Sequence, residues 1–322
     1  MARPLRIEYP GALYHITSRG NERKDLFFDD GDRRKFLQIL QDYHDRYGIL
    51  IHSYILMGNH YHLMLETPKG NLLKVMHGIN GRYTGYLNRK YGRVGHLFQG
   101  RYRGILVEKD AYLIPLSRYV HLNPVRARMA ERPEEYGWSS YPGYLGKTKE
   151  EDWVEYSWIL SAFGPDRAKA RRGYRAYTEE GLHKKMESPL QKLHGRIILG
   201  GEEFIDQIKE RVRGKTLSHD IIERRRLVDS PTLEEMVEIV ARAFGVQEEA
   251  IRGKRGQENT ARKAALYFAQ RYTGESNEAI GKWFGGIHYS AVSKASARFK
   301  QEMASDPKLS KLVKAIDSHF KA

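Results

Sequence analysis

The sequence contains no cysteine. That excludes disulfides, thiolate metal sites and cysteine nucleophiles, and it fits a cytoplasmic setting. No apolar run approaches the roughly 18 residues that a membrane span requires. Arg3 and Arg6 lie among the first ten residues, but no apolar stretch follows them, so no secretory signal is read. Internal repeats and low-complexity tracts are also missing. Acidic residues are in deficit, 40 Asp and Glu against 55 Lys and Arg, for a formal net charge of +15. A polyanion is the natural partner of such a chain, because each cation that meets a phosphate releases counterions. A basic protein without a nucleic-acid role stays open on charge alone. What is present is 322 residues, 40% of them hydrophobic, enough for about two domains with real cores. The 21 tyrosines include rings that can stack on bases.

The apolar periodicity predicts a strand over 12–18, a helix over 30–47, and strands over 49–57 and 60–67 around a Gly58–Asn59 turn. A helix over 72–91, a strand over 100–108 and a helix over 110–122 follow, the last stopped by Asn123–Pro124. The order β-α-β-β-α-β-α predicts an α+β fold: a ferredoxin-like antiparallel sheet with helices on one face and an added helix. The other face is then available to build a site. From about Pro133 the pattern turns irregular, with helices expected near 156–163, 168–177 and 202–213. The run Ile222–Leu227 reads as a linker or solvated helix end, with a boundary at about 225–231. Helical pattern fills 232–319, opened by Thr232 as a cap with Glu234 and Glu235 in the first turn. Three domains are therefore expected: 1–145, a helical connector over 146–230 without an assigned role, and an all-α domain over 231–322.

Two segments carry candidate chemistry in the first domain. In Asn59-His60-Tyr61-His62-Leu63-Met64-Leu65-Glu66, strand alternation puts His60, His62, Met64 and Glu66 on one face and Tyr61, Leu63 and Leu65 on the other. Two imidazoles spaced this way can reach one cation. The plain alternative is a pair of half-exposed histidines on a polar face. Glu66 reads equally as a further ligand, an acceptor orienting an imidazole, or a solvated charge at the strand end.

The second segment is Leu113–Val125, where Tyr119 and Asn123 stand at i and i+4 and share one helix face. One can be a nucleophile and the other a metal ligand. A phenol near pKa 10 attacks poorly at neutral pH, and a metal offsets this by drawing charge from the phosphate. Asn123 also reads as a helix C-cap. His121, at i+2, sits off that face. Nearby, Arg82, Arg89, Lys90, Arg93, Arg101 and Arg103 interleave with Tyr91, Phe98 and Tyr102, the mixture a single-strand channel needs. Arg19–Lys24 reads as a flexible basic loop able to grip a hairpin.

Near the C-terminus, Ser276–Ala295 reads as a helix-turn-helix. Ile280 and Phe284 face the core, Gly285–Gly286 makes the turn, and Val292 and Ala295 begin the next buried stripe. His288, Tyr289, Ser290 and Lys294 then stand where a recognition helix meets base edges. A plain αα-hairpin fits the same pattern.

Taken together, His60-Tyr61-His62, Gly95–Tyr102 and Arg118–Arg126 resemble the single-tyrosine HUH transposases, in particular the REP-associated tyrosine transposases, over about residues 5–145. The resemblance implies a metal-dependent endonuclease and strand-transferase. His60 and His62 would bind Mg²⁺ or Mn²⁺ with Asn123 completing the site, and Tyr119 would attack a DNA phosphate to leave a 5′-phosphotyrosine. Glu66 and His121 are kept as supporting or ligating candidates, and Arg82, Arg101 and Arg103 as DNA contacts. Tyr61 departs from the aliphatic residue usual between the histidines. Tyr112, two helical turns before Tyr119, is the candidate for a second tyrosine.

Residues 232–318 resemble the DNA-binding domain of the replication initiator DnaA, with Gly285–Val292 carrying its signature. This implies duplex contacts from His288, Tyr289, Ser290 and Lys294, and minor-groove contacts from Lys254, Arg255 and Arg262. Tyr289 departs from the DnaA pattern, so its sequence preference does not transfer. The expected partners are single-stranded or hairpin DNA and duplex DNA, with no membrane, for a cytoplasmic monomer or homodimer. Two rivals remain: a sequence-specific DNA-binding regulator on an inactive nuclease fold, and an RNA-binding module of similar topology, which would want aromatics where this sheet face has histidines.

Overall fold

The computed structural model describes residues 7–183, 188–213, 230–252 and 259–320. The expected linker run 222–227, and Lys254 and Arg255, lie outside the described residues. The chain divides into two compact units, Arg6–Pro189 and Leu190–Ala322 with Met1–Leu5. No helix among the described residues is long and apolar enough to cross a membrane.

The first unit is built on β1 (Ala12–Arg19), α1 (Asp30–Tyr47), β2 (Leu50–Leu56), β3 (His60–Thr67), α2 (Leu72–Lys90), β4 (Arg103–Val107) and α3 (Lys109–His121). Its strands lie in the order β2-β3-β1-β4, and all neighbours are antiparallel. This is the ferredoxin-like arrangement that the element order predicts. Strand β4 is shorter than expected at its start. The preceding segment instead runs beside the end of β1, where Gly20 bridges Phe98 and the Gln99 amide donates to the Arg19 carbonyl.

Strand β3 alternates as its sequence demands. Tyr61, Leu63 and Leu65 pair with Ser18, Ile16 and Tyr14 of β1 on the face covered by α1 and α2. The Tyr61 ring packs 4.7 Å from Phe36 of α1, and its hydroxyl donates to Asn80 of α2. Helix α1 begins with a capping box in which Asp29 and Asp32 each take the other's backbone amide, and it ends on Gly48 in the left-handed conformation. Such a cap contributes about 1 kcal/mol.

The opposite face carries the odd-numbered residues of β1 and the even-numbered residues of β3. Helix α3 packs there against β2 and β3 through Leu113, Leu116 and Val120. Asn123–Pro124 does not end helical backbone as expected. A further turn, α4 (Asn123–Arg126), starts at once, because proline in a first turn needs no amide. Helix α5 (Arg167–His183), within the expected connector, covers α3 from outside. The Arg118 guanidinium lies 3.8 Å from the Tyr177 ring and donates to the Tyr177 carbonyl.

The second unit contains α6 (Glu202–Arg213), α7 (Leu233–Phe244), α8 (Thr260–Tyr272), α9 (Asn277–Trp283), α10 (Tyr289–Ser305) and α11 (Pro307–His319). Thr232 caps α7 in a reciprocal capping box with Glu235. Val237, Val240, Phe268, Ile280, Phe284, Val292 and Phe299 form its core. Between α9 and α10, Gly285 and Gly286 adopt φ of 84° and 75°, a region glycine enters without strain. Gly281 brings α9 so close to this turn that a Cβ there would stand 2.3 Å from the Ile287 carbonyl.

A histidine and tyrosine cluster on the sheet

The register of the sheet assembles the site. His62 of β3 pairs with Thr17 of β1, which pairs with Arg103 of β4, so these residues form one row across the α3-side face. His60 pairs with Arg19 in the next row on that face, and His15 with Met64 in the row on the other side. Tyr119, on the last turn of α3, is half-buried against this surface. Its ring centre lies 6.4 Å from that of His62 and 6.3 Å from that of His15. The structure thus brings His60, His62 and Tyr119 to one place, as the sequence motifs require.

His60 has a defined orientation. The Asn59 amide donates through Nδ2 to the Arg23 carbonyl, which leaves Oδ1 to face His60 Nδ1 at 2.7 Å. His60 must therefore donate from Nδ1, and its Nε2 carries the lone pair. Burial pushes the His60 pKa down to about 4, with the Arg19 charge adding to the shift. Burial also holds His62 well below the usual imidazole range, helped by His15, His60 and Arg19. Neutral imidazoles are what cation binding needs, since a protonated ring has no lone pair to give.

Asn123 donates from its side-chain amide to the carbonyls of Tyr119 and Val120. It therefore caps α3, and its oxygen is the one atom it can offer a cation. Among the described residues, no group of three or more His, Asp or Glu side chains is placed to hold a metal ion. A cation on His60 and His62 would thus complete its shell with amide, phenol, phosphate or water oxygens.

Two candidates stand apart from the cluster. Glu66 shares the face of His62 but sits four residues along the strand, about 13 Å away. There it accepts from His52 Nε2 at 2.9 Å and from Lys109 at 2.7 Å, and these partners hold its carboxyl below the usual range against the effect of burial. His52 reaches it from a bulge in β2 between Ile51 and Ser53. His121 is fully buried and wired elsewhere. Its Nδ1 lies 2.7 Å from the Tyr174 hydroxyl, which donates to Ser117, and its Nε2 lies 2.9 Å from Ser140 Oγ. With both nitrogens engaged, it is a packing histidine between α3 and α5.

The basic candidates also separate. Arg103 lies in the His62 row, and its charge lowers the His15 pKa further after burial. Arg101 is exposed just before β4. Arg82 lies on α2, across the sheet from the histidines, and pairs with Asp42 at 3.0 Å. The expected flexible loop after Arg19 is a pinned 3₁₀ turn, Asn21–Arg23, tied by the Gly20 amide to Asn59 and the Asn21 amide to Leu97. The sequence reading missed two site residues, His15 and Arg126, and placed Arg19 only in a basic loop. His15 and Arg19 are brought beside the histidines by strand pairing. Arg126 places its guanidinium over the Tyr119 ring.

In the second unit, His288 caps α10 and packs its ring 4.1 Å from that of Tyr289. His288 and Lys294 are exposed, and Tyr289 and Ser290 are half-buried, all within the first turns of α10. Arg262 is turned inward instead of toward a groove. Its guanidinium donates to the carbonyls of Ile251 and Phe284, and burial lowers its pKa. Unpaired carbonyls at helix ends recruit such donors.

Comparison with known proteins fits this division. Residues 9–123 match the family described as Transposase IS200 like, and residues 233–298 match the bacterial DnaA helix-turn-helix. The chain is similar to the chromosomal replication initiator DnaA of Nautilia profundicola, 29% identical over 138 residues, covering 39% of this chain and 30% of that protein. It is similar to DnaA of Wolinella succinogenes at 26% identity over 141 residues, covering 43% and 31%. The chain thus spans about a third of these relatives' length. A solved structure of a REP-associated tyrosine transposase bound to a REP hairpin aligns with a TM-score of 0.41 and 14% identity, over 48% of this chain and 92% of that one.

Proposed function

We propose that this chain, which joins a transposase-family segment to a DnaA-type DNA-binding segment, is a metal-dependent single-strand DNA endonuclease and strand-transferase. The observation that carries the reading is the convergence of His60, His62 and Tyr119, from strand and helix, on one sheet face.

In the proposed step the Tyr119 oxygen attacks a DNA phosphorus. A tyrosine–phosphorus bond forms, the bond from phosphorus to the 3′ oxygen breaks, and that oxygen leaves as a 3′-hydroxyl. The phenol gives its proton to solvent and the 3′ oxygen takes one from it. Phosphodiester is exchanged for phosphodiester, so a 3′-hydroxyl can reverse the step and join strands. A divalent cation, Mg²⁺ or Mn²⁺, held by Nε2 of His60 and His62 with the Asn123 oxygen, would draw charge from the phosphate and favour the phenolate. Asn59 fixes His60, Arg126 sets a positive charge against the nucleophile's ring, and Arg19 and Arg103 flank the histidines on the sheet.

The proposed substrate is hairpin or palindromic-repeat DNA with an unpaired flank. The second unit would grip duplex DNA through His288, Tyr289, Ser290 and Lys294. We assign catalysis to 1–145, a connector to 146–230 and duplex binding to 231–322, in a cytoplasmic monomer or homodimer. The test is incubation with Mn²⁺ and end-labelled hairpin DNA, resolved on a denaturing gel. A covalent protein–DNA band is expected from the parent chain and none from Tyr119→Phe. Cleavage retained in Tyr119→Phe, or absent from the parent on the repeats flanking its own gene, would refute the reading.

A further inference from the structure

His15 takes no part in the step above, yet it is buried against its centre. Its ring lies edge to edge with that of His62 and nearly parallel to it, with 5.1 Å between centres and 9° between planes, and its Nε2 lies 2.9 Å from His62 Nδ1. We propose that His15 is a positioning residue that engages His62 through Nδ1 and so presents His62 Nε2 to the cation. The inference rests on the metal reading of His60 and His62.

The contact itself carries the argument, because the two nitrogens face each other at hydrogen-bond distance. A neutral imidazole bears one N–H, on one of its two nitrogens. Only one hydrogen fits between His15 Nε2 and His62 Nδ1. If His15 supplies it, His62 carries its own proton on Nε2 and has no lone pair there. If His62 supplies it, Nε2 is open and His15 is the acceptor. Asn59 already imposes this second state on His60, where Nδ1 donates and Nε2 is open. His15 does for the buried imidazole what Asn59 does for the half-buried one. Acceptors behind ligating histidines commonly fix ring orientation and strengthen the ligand.

The second state leaves a trace on the far side of His15. There the His15 proton must sit on Nδ1, a buried atom with no hydrogen-bond partner among the described residues. A buried N–H without a partner is rarer than a buried acceptor without one, so without a cation the pair favours the first tautomer. Uptake of a cation at His62 Nε2 would shift it to the second. One proton then crosses from His15 Nε2 to His62 Nδ1, one leaves His62 Nε2 for solvent, and one is taken up at His15 Nδ1. The net proton count is unchanged.

The test measures Mn²⁺ binding to the full chain, without DNA, by the electron paramagnetic resonance signal of free Mn²⁺. His15→Leu is expected to weaken binding about 10- to 100-fold. His15→Gln, whose amide oxygen can accept, should recover most of the loss. Long-range ¹H–¹⁵N spectra of the parent with Cd²⁺ should show His15 protonated at Nδ1 and bare at Nε2, the tautomer that accepts from His62, which a role in packing alone would not require. Parental affinity in His15→Leu, cadmium coupling to a His15 nitrogen, or a cadmium-bound parent in which His15 carries its proton on Nε2 would each overturn the proposal. The spectra decide the matter on the parent chain if His15→Leu does not fold. Mn²⁺ binding that is absent from the parent, or that survives His60→Ala, would overturn the metal reading itself and this inference with it.

Discussion

The guanidinium of Arg126 lies 4.9 Å from the centre of the Tyr119 ring. Burial lowers the Arg126 pKa, the Tyr119 hydroxyl acts in the opposite direction, and Arg118 adds to the lowering. A cation over an aromatic face contributes about 0.5–2 kcal/mol, more as water is excluded. Arg126→Gln should therefore slow cleavage of a labelled hairpin about fivefold in single-turnover kinetics, for a loss of about 1 kcal/mol. An unchanged rate would mean that this charge does not act on the nucleophile.

Acid should destabilise the first unit over a definite window. Burial pushes His15 to about 3, His60 to about 4 and His121 to about 3, all below the ordinary value of 6.5. Between those values and 6.5 the unfolded chain binds more protons than the folded one. The stabilisation is thus fully present above about pH 6.5 and lost progressively as pH falls toward 4 and then 3. Urea midpoints followed by tyrosine fluorescence should drop between pH 7 and pH 4.5. Constant midpoints over that range would contradict the burial of these rings.

His121→Ala separates packing from ligation. It would open a cavity and leave the Tyr174 and Ser140 hydroxyls without their imidazole, costing about 2–4 kcal/mol. Mn²⁺ affinity at low temperature, where the variant stays folded, should match the parent. A selective loss of metal with little loss of stability would restore His121 to the site.

On α10, Lys294→Ala should weaken duplex binding uniformly across sequences and reduce the slope of log affinity against log salt by about 1. Tyr289→Ala should change which duplex is preferred, since the proposed duplex contact puts the ring where base edges would be read. Neither should alter hairpin cleavage in a fluorescence-anisotropy and gel comparison. Coupled loss of cleavage would place α10 in the reaction.

Much of this was legible from residue pattern. Alternation in His60–Thr67 assigns the two histidines and Tyr61 to opposite faces, and helical spacing over 110–122 marks the element that carries Tyr119. The misreadings share a physical origin. Glu66 shares a face with His62, but a strand rises about 3.3 Å per residue, so sharing a face does not bring it within reach. Arg82 sits in a basic stretch whose helix packs on the far side of the sheet. His15 could not be singled out, because its place beside His62 depends on the pairing of β1 with β3. Its one visible sign was a polar residue at an alternate position in ALYHITS. Arg262 reads as a groove contact by analogy, and only the nearby helix ends reveal where its hydrogen bonds go.

Tyr61 is sealed inside the core, yet its anchorage to Phe36 and Asn80 sets which way its two neighbours point. A slip of β3 by one position would drive that ring out of the helical layer and carry both imidazoles inward. Damage to the layer behind the sheet would therefore show first as blurred aim at the front, with the proposed cleavage fading while the first unit still melts cooperatively.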